Sequence, residues 1–285
     1  MLINDVAKQC NLTKKAVEYY VEQGLICPTI LENGYRNFSK EDTELLKQIS
    51  LYRGIGLSVL EIKSILADTS VLKNILYKKT IKLEQEKSKQ KILQRLADGE
   101  TLEDVKYEIN NLENHSAIIE RLLKVFPSYY GIFLSMNFSK YLVDTIKTEE
   151  QEEAYYEIID FLDNVAEFKI SEELKKYLDD YMSNIAIKDM QKIVSDKEKN
   201  IRNVDKFMQN NKDALKQYSE YKKSDEYKNS PANKLSELMK DFCSTSGYYD
   251  VFIPAMRKLS PSYNEYYEQL LKANEKFIET NPDYL

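Results

Sequence analysis

Apolar residues recur at helical spacing along most of the chain, a pattern typical of a protein built mainly from α-helices. Residues 3–10 and 16–21 each carry one apolar stripe, which predicts two short helices at the N-terminus. Between them, Asn11 and Leu12 break the pattern, and Thr13 can cap the second helix by accepting a hydrogen bond from its first turn. Gly24 is placed to end that helix in a left-handed conformation.

A short hairpin and two more helices are predicted after this pair. Asn33-Gly34 favours a tight turn between two strands, and the aromatic and basic segment 35–38 follows it. Ser39 stands before two acidic residues, as at the start of a helix. The order of elements is that of a winged helix-turn-helix, which presents the start of its second helix to the DNA major groove. The exposed positions there are Thr13, Lys14, Lys15, Glu18 and Tyr19.

Residues 1–70 resemble the DNA-binding domain of the MerR family of bacterial transcriptional regulators. The resemblance rests on an ordered set of short motifs: Tyr19-Tyr20, Gly24-Leu25-Ile26 with Pro28, Asn33-Gly34-Tyr35-Arg36, Phe38-Ser39, Glu41-Asp42, Gly56-Leu57-Ser58 and Leu60-Glu61-Ile62. It implies a homodimer on a pseudo-palindromic promoter that bends and untwists the DNA and so acts on RNA polymerase indirectly. It also implies DNA-facing positions at Lys14, Lys15, Tyr19, Tyr20, Tyr35, Arg36 and Arg53.

Glu18 departs from the family pattern, which usually has a basic residue or a histidine immediately before the tyrosine pair. Phosphates repel a carboxylate, but a carboxylate can accept a hydrogen bond from the amino group of cytosine in the major groove. We interpret Glu18 as a sign of altered operator preference; the alternative is a tolerated surface residue.

Charge is distributed unevenly along the chain, whose formal net charge is −6. Residues 1–70 hold eight basic and nine acidic side chains, whereas residues 71–97 hold eight basic and two acidic ones. An acidic protein is not expected to coat DNA indiscriminately, so we expect a localised footprint. The basic segment could approach flanking phosphates, but a solvated helix surface is the favoured interpretation of a charge run.

Residues 71–97 contain no glycine or proline and predict one long helix. Leu76, Leu83, Gln90 and Ala97 recur every seven residues, with Leu72 and Leu93 on a neighbouring stripe, which makes a diluted heptad. From the sequence alone this could be a connector helix. The family resemblance implies that it is the coiled coil that dimerises the protein.

Residues 98–285 are long enough for a separate domain, and strand signals are almost absent there. Its helical patterns cover residues 102–126, 128–147, 149–167, 171–194, 196–222, 231–246, 248–258 and 261–279. The sequence therefore predicts three parts: a DNA-binding domain (1–70), a dimerisation helix (71–97) and an all-helical effector-binding domain (98–285).

Tyrosine is concentrated in the third part, which holds 17 of the chain's 22 tyrosines. Aromatic rings beside acidic groups can bind organic cations, and other members of the family bind bulky hydrophobic or cationic compounds. Tyrosines with buried rings are also ordinary residues of helix packing. The effector-contacting candidates are Tyr129, Tyr130, Tyr248, Tyr249 and Phe252.

The sequence argues against a metal site, a cofactor and an active site. The three cysteines (Cys10, Cys27 and Cys243) lack ligand spacing, and there is one histidine, His115. There is no phosphate-binding glycine loop, and the carboxylates at 149–153 suit a helix start better than catalysis. Residues 1–5 do not read as a signal peptide, and no apolar run approaches the roughly 20 residues that cross a bilayer. Unpaired cysteines fit a cytoplasmic protein.

These patterns predict a cytoplasmic, homodimeric DNA-binding regulator of transcription whose helical C-terminal domain senses a small organic effector. One alternative is an effector-independent repressor or architectural DNA binder whose C-terminal domain contacts a protein partner. Another is a drug-sequestering protein with a vestigial DNA domain. The effector, the operator and the sign of regulation are left open by the sequence.

Overall fold

Helices dominate both parts of the molecule. The computed structural model describes residues 1–126, 128–144, 146–183 and 185–281, and the side chains of residues 128, 129, 182 and 183 lie outside that description. The chain divides into two compact units, Met1–Ile75 and Leu76–Leu285. The sheet within the described ranges is one two-stranded hairpin. The prediction of a mostly helical fold is confirmed.

The N-terminal unit begins with two short helices, α1 (Ile3–Gln9) and α2 (Lys14–Glu22). The chain turns between them at Asn11, whose φ of 50° lies in the left-handed region that asparagine tolerates. The Thr13 hydroxyl oxygen accepts a hydrogen bond from the Ala16 amide at 3.1 Å, so Thr13 is the N-cap predicted from the sequence. Gly24, with a φ of 68°, lets the chain leave the end of α2.

The hairpin pairs β1 (Thr29–Ile30) with β2 (Arg36–Asn37) in antiparallel register. Gly34 at the turn has a φ of 79°, which confirms the turn predicted from Asn33-Gly34. Two helices follow, α3 (Lys40–Gly54) and α4 (Val59–Ala67). Each begins with a capping box, in which a serine and an acidic side chain three residues later bond each other's backbone amides.

One apolar core holds the N-terminal unit together. Its four helices all contribute, and the fully buried side chains include Val6, Val17, Phe38, Leu46, Ile49 and Ile62. These residues come from α1, α2, β2's end, α3 and α4. Burial of large apolar side chains contributes about 1.5–3 kcal/mol each, so this core supplies most of the unit's stability.

The longest helix, α5 (Leu72–Ala97), has 26 residues and a length of about 39 Å at 1.5 Å per residue. Its buried residues include Ile75, in the core of the N-terminal unit, and Tyr77 and Ile92 of the C-terminal unit. Leu72, Leu76, Leu83 and Leu93 are exposed and form the leucine stripe of the diluted heptad.

The C-terminal unit continues with short and medium helices. They are α6 (Leu102–Val125), α7 (Ser128–Ser139), α8 (Glu149–Asn164), α9 (Glu172–Ser183), α10 (Ile187–Arg202), α11 (Val204–Asn210), α12 (Lys212–Lys223), α13 (Asp225–Lys228), α14 (Pro231–Thr245), α15 (Ile253–Leu259) and α16 (Pro261–Thr280). A π-helical turn, Tyr248–Phe252, precedes α15.

Several helix boundaries differ from the sequence prediction. The helix predicted at 171–194 is divided between α9 and α10, and the helix at 196–222 is broken at Asn203 and Asn211. The side-chain amides of both asparagines donate to backbone carbonyls four residues earlier, at 3.2 and 2.8 Å. Such local bonds compete with the helical ladder, which explains breaks at residues that are neither glycine nor proline.

The core of the C-terminal unit is rich in aromatic rings. Phe126, Phe168 and Phe242 form one cluster, with ring centroids 5.2–6.1 Å apart. Phe252 stands at the centre of another and contacts Phe138 edge-on at 5.2 Å. No helix among the described residues is both long and apolar enough to cross a membrane.

Candidate DNA-binding surface and C-terminal cavities

The first two turns of α2 present polar side chains to solvent. Thr13, Lys14, Lys15, Glu18 and Tyr19 are all exposed. Val17 is buried beneath them in the core of the unit. This alternation follows from the helical period, because residues one turn apart share a face. The five positions expected from the sequence to face outward therefore do so.

Tyr20 differs from the other residues that were expected to face DNA, because it is buried. Its side chain is only 5% exposed and packs in the core of the N-terminal unit. Its ring centroid lies 6.0 Å from that of Tyr19, which is exposed. One residue of helical rotation separates the two tyrosines by about 100°, so one of a consecutive pair faces the core when the other faces solvent. The burial of the Tyr20 side chain does not match the expectation that it faces DNA.

Glu18 lies among basic neighbours without pairing with them. Lys14 and Lys15 precede it by four and three residues, the spacing at which side chains on a helix meet. Among the described residues, however, its carboxylate has no ion-pair or hydrogen-bond partner. Both of its oxygens are thus available as acceptors on the exposed face of α2.

The hairpin presents an aromatic and a basic side chain. Tyr35 is 63% exposed, and Arg36 beside it is exposed as well. The turn is held by the Leu31 amide, which donates to the Tyr35 carbonyl at 2.9 Å, and by the Tyr35 amide, which donates to the Asn33 side chain at 3.1 Å. Sequence reasoning overlooked the exposed apolar side chain of Ile30 on the partner strand.

Arg53 lies near the end of α3 and has a structural bond. Its guanidinium donates to the Leu57 carbonyl at 2.6 Å, across the turn between α3 and α4. The residue as a whole is exposed, and a guanidinium has five N–H donors, so this bond leaves others for a phosphate. Arg53 can therefore contact DNA, as expected, while its guanidinium keeps the bond across the turn.

The residues expected to contact an effector are dispersed. Phe252 is fully buried in the core, and Tyr248 stacks on it at 5.3 Å. Tyr130 packs edge-on against Phe168 at 5.5 Å, whereas Tyr249 is mostly exposed. The side chain of Tyr129 lies outside the described residues. The four described candidates do not line the two cavities beside α5 that are described next.

Two adjoining cavities lie elsewhere in the C-terminal unit. The larger, of about 480 Å³, lies among α5, α6, α7 and α10. The smaller, of about 350 Å³, lies among α5, α6 and the segment after α7. Four residues line both: Ser88, Leu112, His115 and Val143. Burial lowers the pKa of His115, so its ring is neutral near pH 7. These cavities could not be predicted from the sequence, because the residues that line them are far apart in the chain.

No group of three or more histidine, cysteine, aspartate or glutamate side chains suited to a metal ion occurs within the described ranges. Cys10 and Cys243 are buried as free thiols, and Cys27 is exposed.

The comparisons with known proteins agree on the N-terminal part of the chain. Residues 1–69 match the family described as MerR HTH family regulatory protein. The HTH-type transcriptional regulator CueR of Yersinia pestis is 37% identical over 68 residues, which cover 24% of this chain and 49% of that protein. The HTH-type transcriptional regulator HmrR of Rhizobium leguminosarum bv. viciae is 36% identical over 67 residues, or 24% of this chain and 52% of that protein.

The chain spans about half the length of the curated relatives it matches, and no solved structure matches it. The agreement between the matched range and the structure is nonetheless close: α1, α2, the hairpin, α3 and α4 all lie within the first 69 residues. Residues 1–69 are therefore similar to the MerR helix-turn-helix domain both in sequence and in the order of their helices and hairpin.

Proposed function

We propose that this protein is a DNA-binding regulator of transcription that acts as a homodimer on a pseudo-palindromic promoter. The observation that carries the proposal is the exposed set on α2 and the hairpin, within a domain of the MerR family. The matched relatives bear the names of transcriptional regulators, and the proposal includes no catalytic activity.

In this proposal α2 enters the major groove. Lys14 and Lys15 neutralise phosphates beside the groove, and Glu18 and Tyr19 meet base edges and backbone. The free carboxylate of Glu18 accepts from a cytosine amino group, which would give this domain an operator of its own. Tyr35 and Arg36 on the hairpin follow the backbone, and Arg53 adds a further phosphate contact.

The leucine stripe of α5 supports the dimer. Four leucines on one face of a helix are exposed in the single chain, and a second copy of the same helix would cover them. A two-fold dimer presents two copies of α2 to two half-sites, which matches a pseudo-palindrome. Bending and untwisting the DNA between the half-sites would then align promoter elements for RNA polymerase.

The C-terminal unit is proposed to bind a small organic effector. Its two adjoining cavities have the size range of ligand sites, and α5 lines both of them. An effector can shift the regulator only by binding one conformation more tightly than another. Because α5 also continues from the N-terminal unit, it is the element through which occupancy would bias the DNA-bound form.

Titration against DNA tests the proposal. The purified protein is mixed with duplex from upstream of its own gene and, separately, with random duplex at one near-physiological salt concentration. A preference of about 10³-fold or more is expected for a sequence-reading dimer. The double variant Lys14→Ala/Lys15→Ala should lose most of the affinity, whereas the control Lys222→Ala/Lys223→Ala, an adjacent lysine pair in α12, should not. Equal affinity for both duplexes and an unaffected α2 variant would reject the proposal for this promoter region.

A further inference from the structure

The two adjoining cavities form one elongated cleft along α5, which we call the α5 cleft. The residues lining it on α5 extend from Tyr77 to Arg95. They share one helical face, and the exposed leucine stripe lies on the other side of the helix. A ligand in the cleft and a second copy on the stripe would therefore not compete for the same surface.

Most charges in the α5 cleft are already paired. Lys140 donates to Glu198 at 2.6 Å in the larger cavity. Arg95 bonds both Glu100 and Glu108 in the smaller one, at 2.6 and 2.8 Å. These pairs leave little net charge for a ligand.

Two charges remain without an ion-pair partner among the described residues. One is the carboxylate of Glu84 in the larger cavity, and the other is the ammonium of Lys91 in the smaller cavity. They are seven residues apart on α5, two helical turns, so they lie on the same face about 10 Å from each other.

The wall between these charges combines apolar and hydrogen-bonding groups. Leu112 and Val143 line both cavities and supply apolar surface at their junction. Near the junction, the buried Nε2 of His115 has no hydrogen-bond partner among the described residues. Leaving such an atom unpaired is unfavourable, and a hydrogen bond to a ligand amide would remove that penalty.

We propose that the α5 cleft binds an elongated zwitterion with an apolar body, of the size of a tripeptide. Its ammonium pairs with Glu84 and its carboxylate with Lys91, while the apolar body lies against Leu112 and Val143, which line both cavities. An extended chain covers about 3.3–3.6 Å per residue, so three residues span the distance between the two charges. That the zwitterion acts as the effector rests on the proposed function; its binding does not.

Calorimetric titration of the full chain with Leu-Leu-Leu tests the binding. The same titration is made with N-acetyl-Leu-Leu-Leu, which lacks the ammonium, and with Leu-Leu-Leu amide, which lacks the carboxylate. Free Leu-Leu-Leu should bind about tenfold more tightly than either blocked form, as expected for the loss of one charge-assisted contact. Absence of heat at millimolar Leu-Leu-Leu, or equal affinities for all three molecules, would overturn the proposal.

Single substitutions assign each end of the ligand. Glu84→Gln should abolish the preference for a free ammonium and keep the preference for a free carboxylate, and Lys91→Gln should do the reverse. Glu86→Gln and Lys89→Gln are matched controls, because these two residues pair with each other at 3.3 Å on α5 and do not line the cleft. A loss of preference in the controls equal to that in the cleft variants would place the ligand elsewhere.

The same preparation separates this inference from the proposed function. If the protein prefers its upstream DNA but binds none of the three peptides, the proposed function is supported and the zwitterion site is contradicted. If it discriminates among the peptides as described but shows no preference among DNA duplexes, the zwitterion site is supported and the regulatory role is contradicted.

Discussion

At the scale of single residues, Glu18 gives a prediction about the bases that this domain prefers. It is exposed on α2, and its carboxylate has no partner among the described residues. We predict that Glu18→Arg changes which bases are preferred at the contacted operator positions, because an arginine donates to guanine where a carboxylate accepts from cytosine. Selection from randomised duplexes measures the preference. Glu22→Arg, the same charge change at the end of α2, is the control, and identical preferences in all three proteins would make Glu18 an ordinary surface residue.

Arg36 tests the hairpin as a phosphate contact. We predict that Arg36→Ala weakens binding to every duplex and lowers the slope of log affinity against log salt by about 1, the loss of one phosphate contact. Affinities measured at several salt concentrations give the slope. Arg202→Ala removes an exposed arginine of the C-terminal unit and should leave the slope unchanged. An unaltered slope in Arg36→Ala would move the phosphate contact to another element.

His115 predicts a pH dependence of stability. Burial holds its pKa below the usual value, whereas the unfolded chain titrates near about 6.5. As the pH falls, the unfolded state therefore takes up a proton first, and the stability present above about pH 6.5 is lost by at most about 1.4 kcal/mol per pH unit. His115→Gln should unfold with a smaller loss between about pH 7 and 5.5, as followed by denaturant titration. Since the chain has one histidine, an equal loss in both proteins would assign this dependence to carboxylates.

At the scale of elements, the helices of the N-terminal unit start where short polar side chains cap them. Ser39 is exposed, and its hydroxyl accepts from the Asp42 amide at 3.0 Å. We predict that Ser39→Ala lowers the free energy of unfolding by about 1 kcal/mol, the usual effect of removing an N-cap. Ser64→Ala, inside α4, should have little effect, because alanine suits a helix interior. Thermal unfolding of both variants measures the difference. Equal shifts in melting temperature would mean that the Ser39 cap does not stabilise α3.

The elements differ in how far the sequence determines them. Thr13 and Ser39 were correctly predicted as helix starts, because capping depends on residues within one turn. The breaks at Asn203 and Asn211 were not predicted, because asparagine also occurs within helices; Asn137 makes the same side-chain bond inside the unbroken helix α7. Helical spacing predicted the apolar stripe of residues 16–21 but did not distinguish Tyr20, which is buried, from Tyr19, which is exposed.

Sites built from several elements were harder to predict. The α2 set could be identified because consecutive residues and one family pattern define it. The α5 cleft is lined by residues from 77 to 198 in the chain, so no local pattern indicates it. Tyr248 and Phe252 were candidates for effector contact because they are aromatic. In the structure they form a stacked pair in the core.

At the scale of the whole molecule, α5 connects the proposed roles. It begins in the N-terminal unit, lines the α5 cleft in the C-terminal unit and carries the exposed leucine stripe on its other side. A ligand and a second copy would thus bind different faces of one rigid element. This arrangement gives an effector a direct route to the dimer, because any rotation of α5 alters both faces together.

The leucine stripe gives the last prediction. Leu76 and Leu83 are each 56% exposed in the single chain and lie two turns apart. We predict that wild-type protein has twice the 33.5 kDa chain mass by light scattering and that Leu76→Glu/Leu83→Glu has the chain mass, because two carboxylates in an apolar seam cost several kcal/mol. The variant should also lose its preference for a two-half-site duplex over a single half-site. Leu271→Glu, an exposed leucine of α16, is the control and should remain a dimer. A Leu76→Glu/Leu83→Glu protein that is still dimeric would require an interface away from α5, and the two-fold model of operator binding would then need another source for its symmetry.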